Sequence, residues 1–235
     1  MNNMPAIGQL PAWAVARSLE AMSVEIQRHK PNFYKLSARI LTNSKISLTA
    51  GDEIVFDNNN LLHAVRQGFA LPEIIPLCIH PIVSYKGIRA LMEIKDLYNQ
   101  SPGKQDVKIF FQAGLEATAC YLNHHPSVQD LMRDEKGTID CYLHEKFFLG
   151  RIFRSNEDVW KCTSEKPDTE PSVVLDFKNL GSAIRGACGQ IDPLADPALG
   201  NIMVAGRIPL LDKFGFVARI VSREVPSPLQ KFHAK

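Results

Sequence analysis

The side chains with the richest chemistry lie mostly in the second half of the chain. Cys120 and His124 are one helical turn apart, and His125 follows, a grouping that suits a nucleophile with its base or ligands of a metal. Cys141-x-x-His144 with Cys162 has a loosely zinc-like spacing. A closed structural site needs a fourth ligand, which the spacing does not supply, and alternation along a strand sends Cys141 and His144 to opposite faces. The His pair, directly before Pro126, reads instead as the end of a helix, where a donor or cationic side chain is favoured. Asp57 and Asp176 occupy equivalent strand-to-helix junctions; acid/base work and helix N-capping, worth ~1 kcal/mol, both suit them. Arg66 and Arg185 are matched in the same way and suit an anionic head group or a neighbouring carboxylate. Phosphate-cradle, dinucleotide, nucleophile-elbow and zinc-protease motifs do not occur, and Gly186-Ala187-Cys188-Gly189 follows a helix where a cradle must precede one. The residues therefore assign no catalytic side chain, no metal and no cofactor. An enzyme would need Cys120, His124, Asp176 and Arg185 to converge, and spacing alone does not bring them together.

Composition places these residues in an ordinary globular chain. With 45% hydrophobic and 22% charged residues, the 235-residue chain can bury a core and is not a disordered tail. A net charge of +2, with both signs interleaved, leaves no electrostatic footprint for nucleic acid. No apolar run approaches the ~20 residues of a spanning helix; Leu71 to Val83 is broken by Pro72, Glu73, Pro76 and Pro81. At most peripheral membrane contact is expected. Five cysteines without a Cys-x-x-Cys pair fit reduced core thiols in a cytoplasmic chain. Ala-Trp-Ala-Val-Ala at 12–16 is only faintly like a signal-cleavage region, since no Lys or Arg precedes Arg17.

The pattern predicts a helix over 11–29, short strands within 34–57, and a helix from about Asn59 that stops near Gly68. A Pro-punctuated connection then leads to the apolar run Ile79 to Val83 and a helix over 87–99. In the second half, helix 110–124 with a further turn to Arg133 precedes strands near 138–145, 147–154, 158–163 and 172–176. A helix over 179–188, a short Pro-initiated helix over 192–199, a strand over 201–205 and a closing helix from Pro209 complete the order.

One gap-free register aligns Val55, Asp57, Asn60, Leu61, Ala64 and Arg66 with Val174, Asp176, Asn179, Leu180, Ala183 and Arg185, all identical. Gly87 with Gly206 and Leu91 with Leu210 continue it. Identities and element order together predict an internal duplication, with a shortened α+β unit in 1–100 and a fuller one in 104–235.

In the second unit the run Val173-Val174-Leu175-Asp176-Phe177, Leu180, Ile184, Gly189, Asp192-Pro193, Ala195, Gly200-Asn201-Ile202-Met203-Val204-Ala205-Gly206 resembles the end of the sterol carrier protein 2 family of lipid-binding domains. The resemblance spans about residues 106–225, and 10–100 more faintly. It implies an α+β fold, a twisted and mostly antiparallel sheet covered by helices. An apolar tunnel would hold a sterol, acyl or isoprenoid/quinone-type lipid, without catalysis. Among bacterial relatives are accessory factors that hold quinone precursors, so a partner enzyme of lipid or quinone metabolism is implied too. Candidate lining residues are Phe148, Ile152, Trp160, Leu180, Ile184, Ile202, Val204, Leu210, Phe214 and Val217. A core draws on the same residue types, so two rival readings stay open: an interaction or dimerisation module with a packed interior, and an enzyme using the four residues above.

Overall fold

The computed structural model describes residues 4–67, 71–192 and 195–226. The predicted helix stop near Gly68, Pro193 of the short helix, and the tail from 227 onward lie outside the described residues. The chain is α+β and divides into two compact units: residues up to Pro102 with the segment from Glu224, and Gly103–Arg223.

In the first unit, α1 (Leu10–His29) starts with Pro in its first turn, where a missing N–H is harmless, and ends before Pro31. Its apolar stripe of Ala12, Val15 and Ala16 packs on Ile46, Leu48, Ile54, Phe56 and Leu61. Those residues come from the antiparallel sheet β1 (Arg39–Thr42), β2 (Lys45–Ser47), β3 (Val55–Asp57), from the segments flanking it, and from α2 (Asn58–Gln67). Asp57 accepts the Asn59 N–H at 2.9 Å and so caps α2 as expected. The Pro-dense stretch is not a connection but two helices, α3 (Ile74–Ile79) and α4 (Pro81–Leu97), with the run 79–83 at their junction. Pro81 begins α4 because proline is tolerated at the first helical position.

The second unit runs α5 (Lys104–His124), α6 (Pro126–Leu131), β4 (Thr138–Leu143), β5 (Phe147–Arg154), β6 (Trp160–Thr163), β7 (Val173–Phe177), α7 (Leu180–Ala187), α8 (Ala195–Ala198), β8 (Ile202–Gly206), α9 (Ile208–Glu224). Its strands form one sheet in the order β6-β5-β4-β7-β8, antiparallel except for the β4–β7 pair. The parallel pair requires a crossover, which the segment between β6 and β7 supplies. Helix α5 lies over one face. A Cβ on Gly150 would meet Gln112 and Leu115 of that helix, and the Phe111 ring meets Phe177 edge-on at 5.1 Å.

The shared register holds for β3–α2 against β7–α7 and then diverges. It would place β8 on residues 83–87, where α4 runs, and β3 pairs antiparallel with β2 whereas β7 sits between β4 and β8.

Candidate functional site

Strand register sorts the predicted lining residues. Residues directly opposite one another in a sheet share a face, so Ile139, Cys141 and Leu143 of β4, Ile152 of β5, Cys162 of β6, Val173, Leu175 and Phe177 of β7, and Ile202 and Val204 of β8 all point to the helix side. Trp160 joins them at the β6 edge and is buried; its backbone N–H and C=O are both held by the Asn123 side chain of α5 at 2.8 Å. Helix α9 buries Leu210, Phe214 and Val217, spaced four and three residues apart as one helical stripe. It comes close to the rest of the unit at two glycines. A Cβ on Gly137 would lie 2.9 Å from Leu210 Cδ2, and one on Gly189 would lie 2.8 Å from the Ala218 carbonyl. Glu135, itself buried, fastens the start of α9 by accepting from Arg207 at 2.7 Å and Lys213 at 2.6 Å. The Lys213 hydrogen bond, assisted by Arg207, outweighs desolvation and holds the Glu135 carboxyl below its ordinary range.

The apolar layer is not equally closed. Ile152, Trp160, Ile202, Leu210, Phe214 and Val217 are buried, while Leu180 and Ile184 of α7 and Val204 of β8 are only half-buried. The end under α5 is packed; the end at α7 and β8 leaves apolar side chains accessible.

Phe148 lies apart from the rest. Its even number matches Ile152, but a β-bulge opposite Cys141 and Tyr142 skips Leu149, so Phe148 pairs with Tyr142 on the far face, their rings edge-on at 5.4 Å. Gln112 donates to the Leu149 carbonyl at 2.7 Å, and a Cβ on Gly150 would lie 2.2 Å from the Gln112 amide nitrogen and displace that side chain from its hydrogen bond. A glycine inside a strand pattern is the signal that could have revealed the bulge.

That far face carries polar chemistry. Arg151 donates to Asp140 through Nε at 2.5 Å and Nη2 at 2.9 Å, and to Thr169 Oγ1 and the Thr169 carbonyl at 2.6 and 2.7 Å. Both charged side chains are buried. Tyr142 donates to Asp140 Oδ2 at 3.2 Å, and the Lys166 ammonium lies 5.6 Å from the Tyr142 ring centroid. These residues, with Pro167, Asp168, Glu170 and Pro171, line a cleft of about 220 Å³. Four of the guanidinium hydrogen bonds are already satisfied within the protein, so Arg151 chiefly fastens the crossover to β4 and β5. The ion pair escaped sequence reasoning because only the register shows that Asp140 and Arg151 face each other.

The four residues of an enzymatic reading do not converge. Cys120 and His124 lie on α5, over the helix side, and burial lowers the His124 pKa. Asp176 pairs with Tyr142 on the opposite face, so the sheet stands between them. Asp176 is also not the cap of α7. Its Oδ1 accepts the Glu145 N–H at 2.7 Å and its Oδ2 the Lys178 ammonium at 2.6 Å, clasping the β4–β5 turn, where His144 and Glu145 have positive φ. The cap is Asn179, which accepts from the Ser182 N–H at 2.7 Å. Arg185 pairs with Asp196, which also accepts from the Asp192 N–H and Asn201, tying α7 to α8 and to the residue before β8. Arg66 is exposed on α2. Cys141 faces the buried helix side, where burial raises its pKa, and His144 sits in the turn, so those two do not form one site. His125 caps the C-terminus of α5: its N–H donates to the Tyr121 carbonyl at 2.9 Å and its ring stacks on Tyr121. Among the described residues no helix is long and apolar enough to cross a membrane. The chain matches no protein-family model and no curated protein.

Proposed function

We propose that residues 103–223 form a sterol-carrier-like, non-catalytic lipid-holding unit that takes a sterol, acyl or isoprenoid/quinone-type chain between α9, α7 and the helix side of the sheet. The reading rests on the unevenly closed apolar layer: Leu180, Ile184 and Val204 remain half-buried on one side of it, where burial by an apolar chain would remove further area from water at ~25 cal/mol per Å². The order helix, three strands, crossover strand, helix, strand, helix supports it, being the order the resemblance implies. Ile152, Trp160, Ile202 and Val204 share the helix side by register, Leu210, Phe214 and Val217 are the buried stripe of α9, Leu180 and Ile184 are half-buried on α7, and Phe148 is dropped from the set. We read the strand–helix register shared with β3–α2 as the remnant of a duplication in which the first unit has three strands and the second five.

The test is extraction of protein purified without detergent, followed by lipid mass spectrometry, alongside Ile184→Glu and Val204→Glu. Co-purifying lipid that both variants lose while still folded is the expected result. A lipid-free wild type that no added sterol, fatty acid or quinone stabilises against heat would overturn the proposal.

A further inference from the structure

We infer that the outward face of α3 and α4 in the first unit docks on an anionic phospholipid surface. Helix α4 uses its inner face conventionally: Ser84, Gly87, Ala90 and Ile94 are buried, and a Cβ on Gly87 would lie 2.4 Å from Ile54 Cδ1. The outward surface of α4, together with α3 and the residue Leu71 before it, is the anomaly. Leu71, Ile74, Ile75, Ile79, Ile82, Tyr85 and Met92 are each between 62 and 76% exposed. A run of exposed apolar side chains of this length belongs against another surface, and this one is exposed.

Charge selects the occupant. From Ile74 to Met92 there is no Asp or Glu, while Lys86 and Arg89 lie within the stretch. The carboxylates bounding it are already paired: Glu73 with Lys45 at 2.6 Å, and Glu93 with Arg89 at 3.1 Å and Lys30 at 3.9 Å. On α3 and α4 themselves Lys86, Arg89 and Lys95 stand against Glu93 and Asp96, an excess of one cation, and the stretch with the exposed isoleucines holds Lys86 and Arg89 and no carboxylate, complementary to anionic head groups. The residue types agree. Isoleucines can enter the acyl boundary while Tyr85 and the long Lys86 side chain sit at head-group level, whereas the core of a protein interface is depleted in lysine. The helices are too short and too often interrupted to span, so the surface lies on the bilayer rather than in it. This docking face stands on the first unit alone and does not depend on the second unit holding a lipid.

Flotation of the full chain with phosphatidylcholine vesicles, with and without phosphatidylglycerol, tests it. Binding to the phosphatidylglycerol vesicles that weakens with salt is expected. Ile75→Glu and Ile82→Glu should each lower partitioning by about tenfold or more, and Lys86→Gln by about fivefold on anionic vesicles alone. These positions are exposed, so circular dichroism and melting temperature should not change. Absence of flotation with phosphatidylglycerol vesicles, or flotation indifferent to the isoleucine variants, overturns the inference. So does a dimer, seen by light scattering, that Ile75→Glu and Ile82→Glu dissolve while vesicle binding persists, because the face then belongs to a second copy.

Discussion

Replacing Asp140 by Ala leaves the Arg151 guanidinium buried, with its Nε–H and one Nη2–H donor unmet. Arg151 and Asp140 side chains are 3 and 1% exposed, so neither water nor a mobile neighbour readily fills the vacancy. Removing one partner of such a pair costs about 3–5 kcal/mol. For a unit of this size 1 kcal/mol moves the melting temperature by about 4 °C, so a drop of about 12–20 °C follows. Thr169→Ala removes only the hydrogen bond accepted by Oγ1, about 1.5 kcal/mol, or about 6 °C. The double variant Asp140→Leu with Arg151→Met removes both charges together and should return to within about 2 kcal/mol of wild type. The chain has two tryptophans, Trp13 in the first unit and Trp160 in the second, so Trp160 fluorescence in a Trp13→Phe background reports the unit that carries the pair. A drop below about 4 °C for Asp140→Ala, or a double variant no better than the sum of the single changes, would refute the claim that this pair fastens the crossover.

Gly206 closes β8 at φ +102°, and a Cβ there would lie 2.2 Å from the Ser172 carbonyl oxygen. Gly206→Ala should cost at least about 2 kcal/mol by urea unfolding, against about 1 kcal/mol for Gly200→Ala, which has positive φ but open space; equal costs would contradict the close approach. Because the folded-state carboxyl of Glu135 titrates below its ordinary range, its contribution to stability is complete above the unfolded pKa and is lost as pH falls through the lowered folded value. Glu135→Gln should therefore flatten the acid limb of the stability–pH curve, and parallel limbs for the two proteins would argue against the Lys213 and Arg207 clamp.

Helices α1, α5 and α9 and the five strands of the second unit were legible in the sequence because hydrophobic period and Pro punctuation are local signals. The predicted helix over 87–99 falls within α4, but α3 and the first turns of α4 were not legible. The same prolines that read as a connection act as a helix start at Pro81, and the distinction depends on whether the flanking residues find a surface to pack on. Asp176 illustrates a second limit. A carboxylate before a helix looks like a cap, yet the parallel β4–β7 pair brings the Glu145 N–H beside it, and Asn179 takes over the capping.

The candidate site divides along the same line. Residue types alone determined that the chain is α+β, that its interior is aliphatic, and that no cofactor motif interrupts it. Tertiary structure decided which face each of those residues occupies. One skipped residue at Leu149 reverses the side of Phe148, because strand side chains alternate with a period of two. Likewise the distant pair Asp140 and Arg151, and the separation of Cys120 and His124 from Asp176, exist only through strand register, which long-range backbone pairing sets and local sequence does not encode.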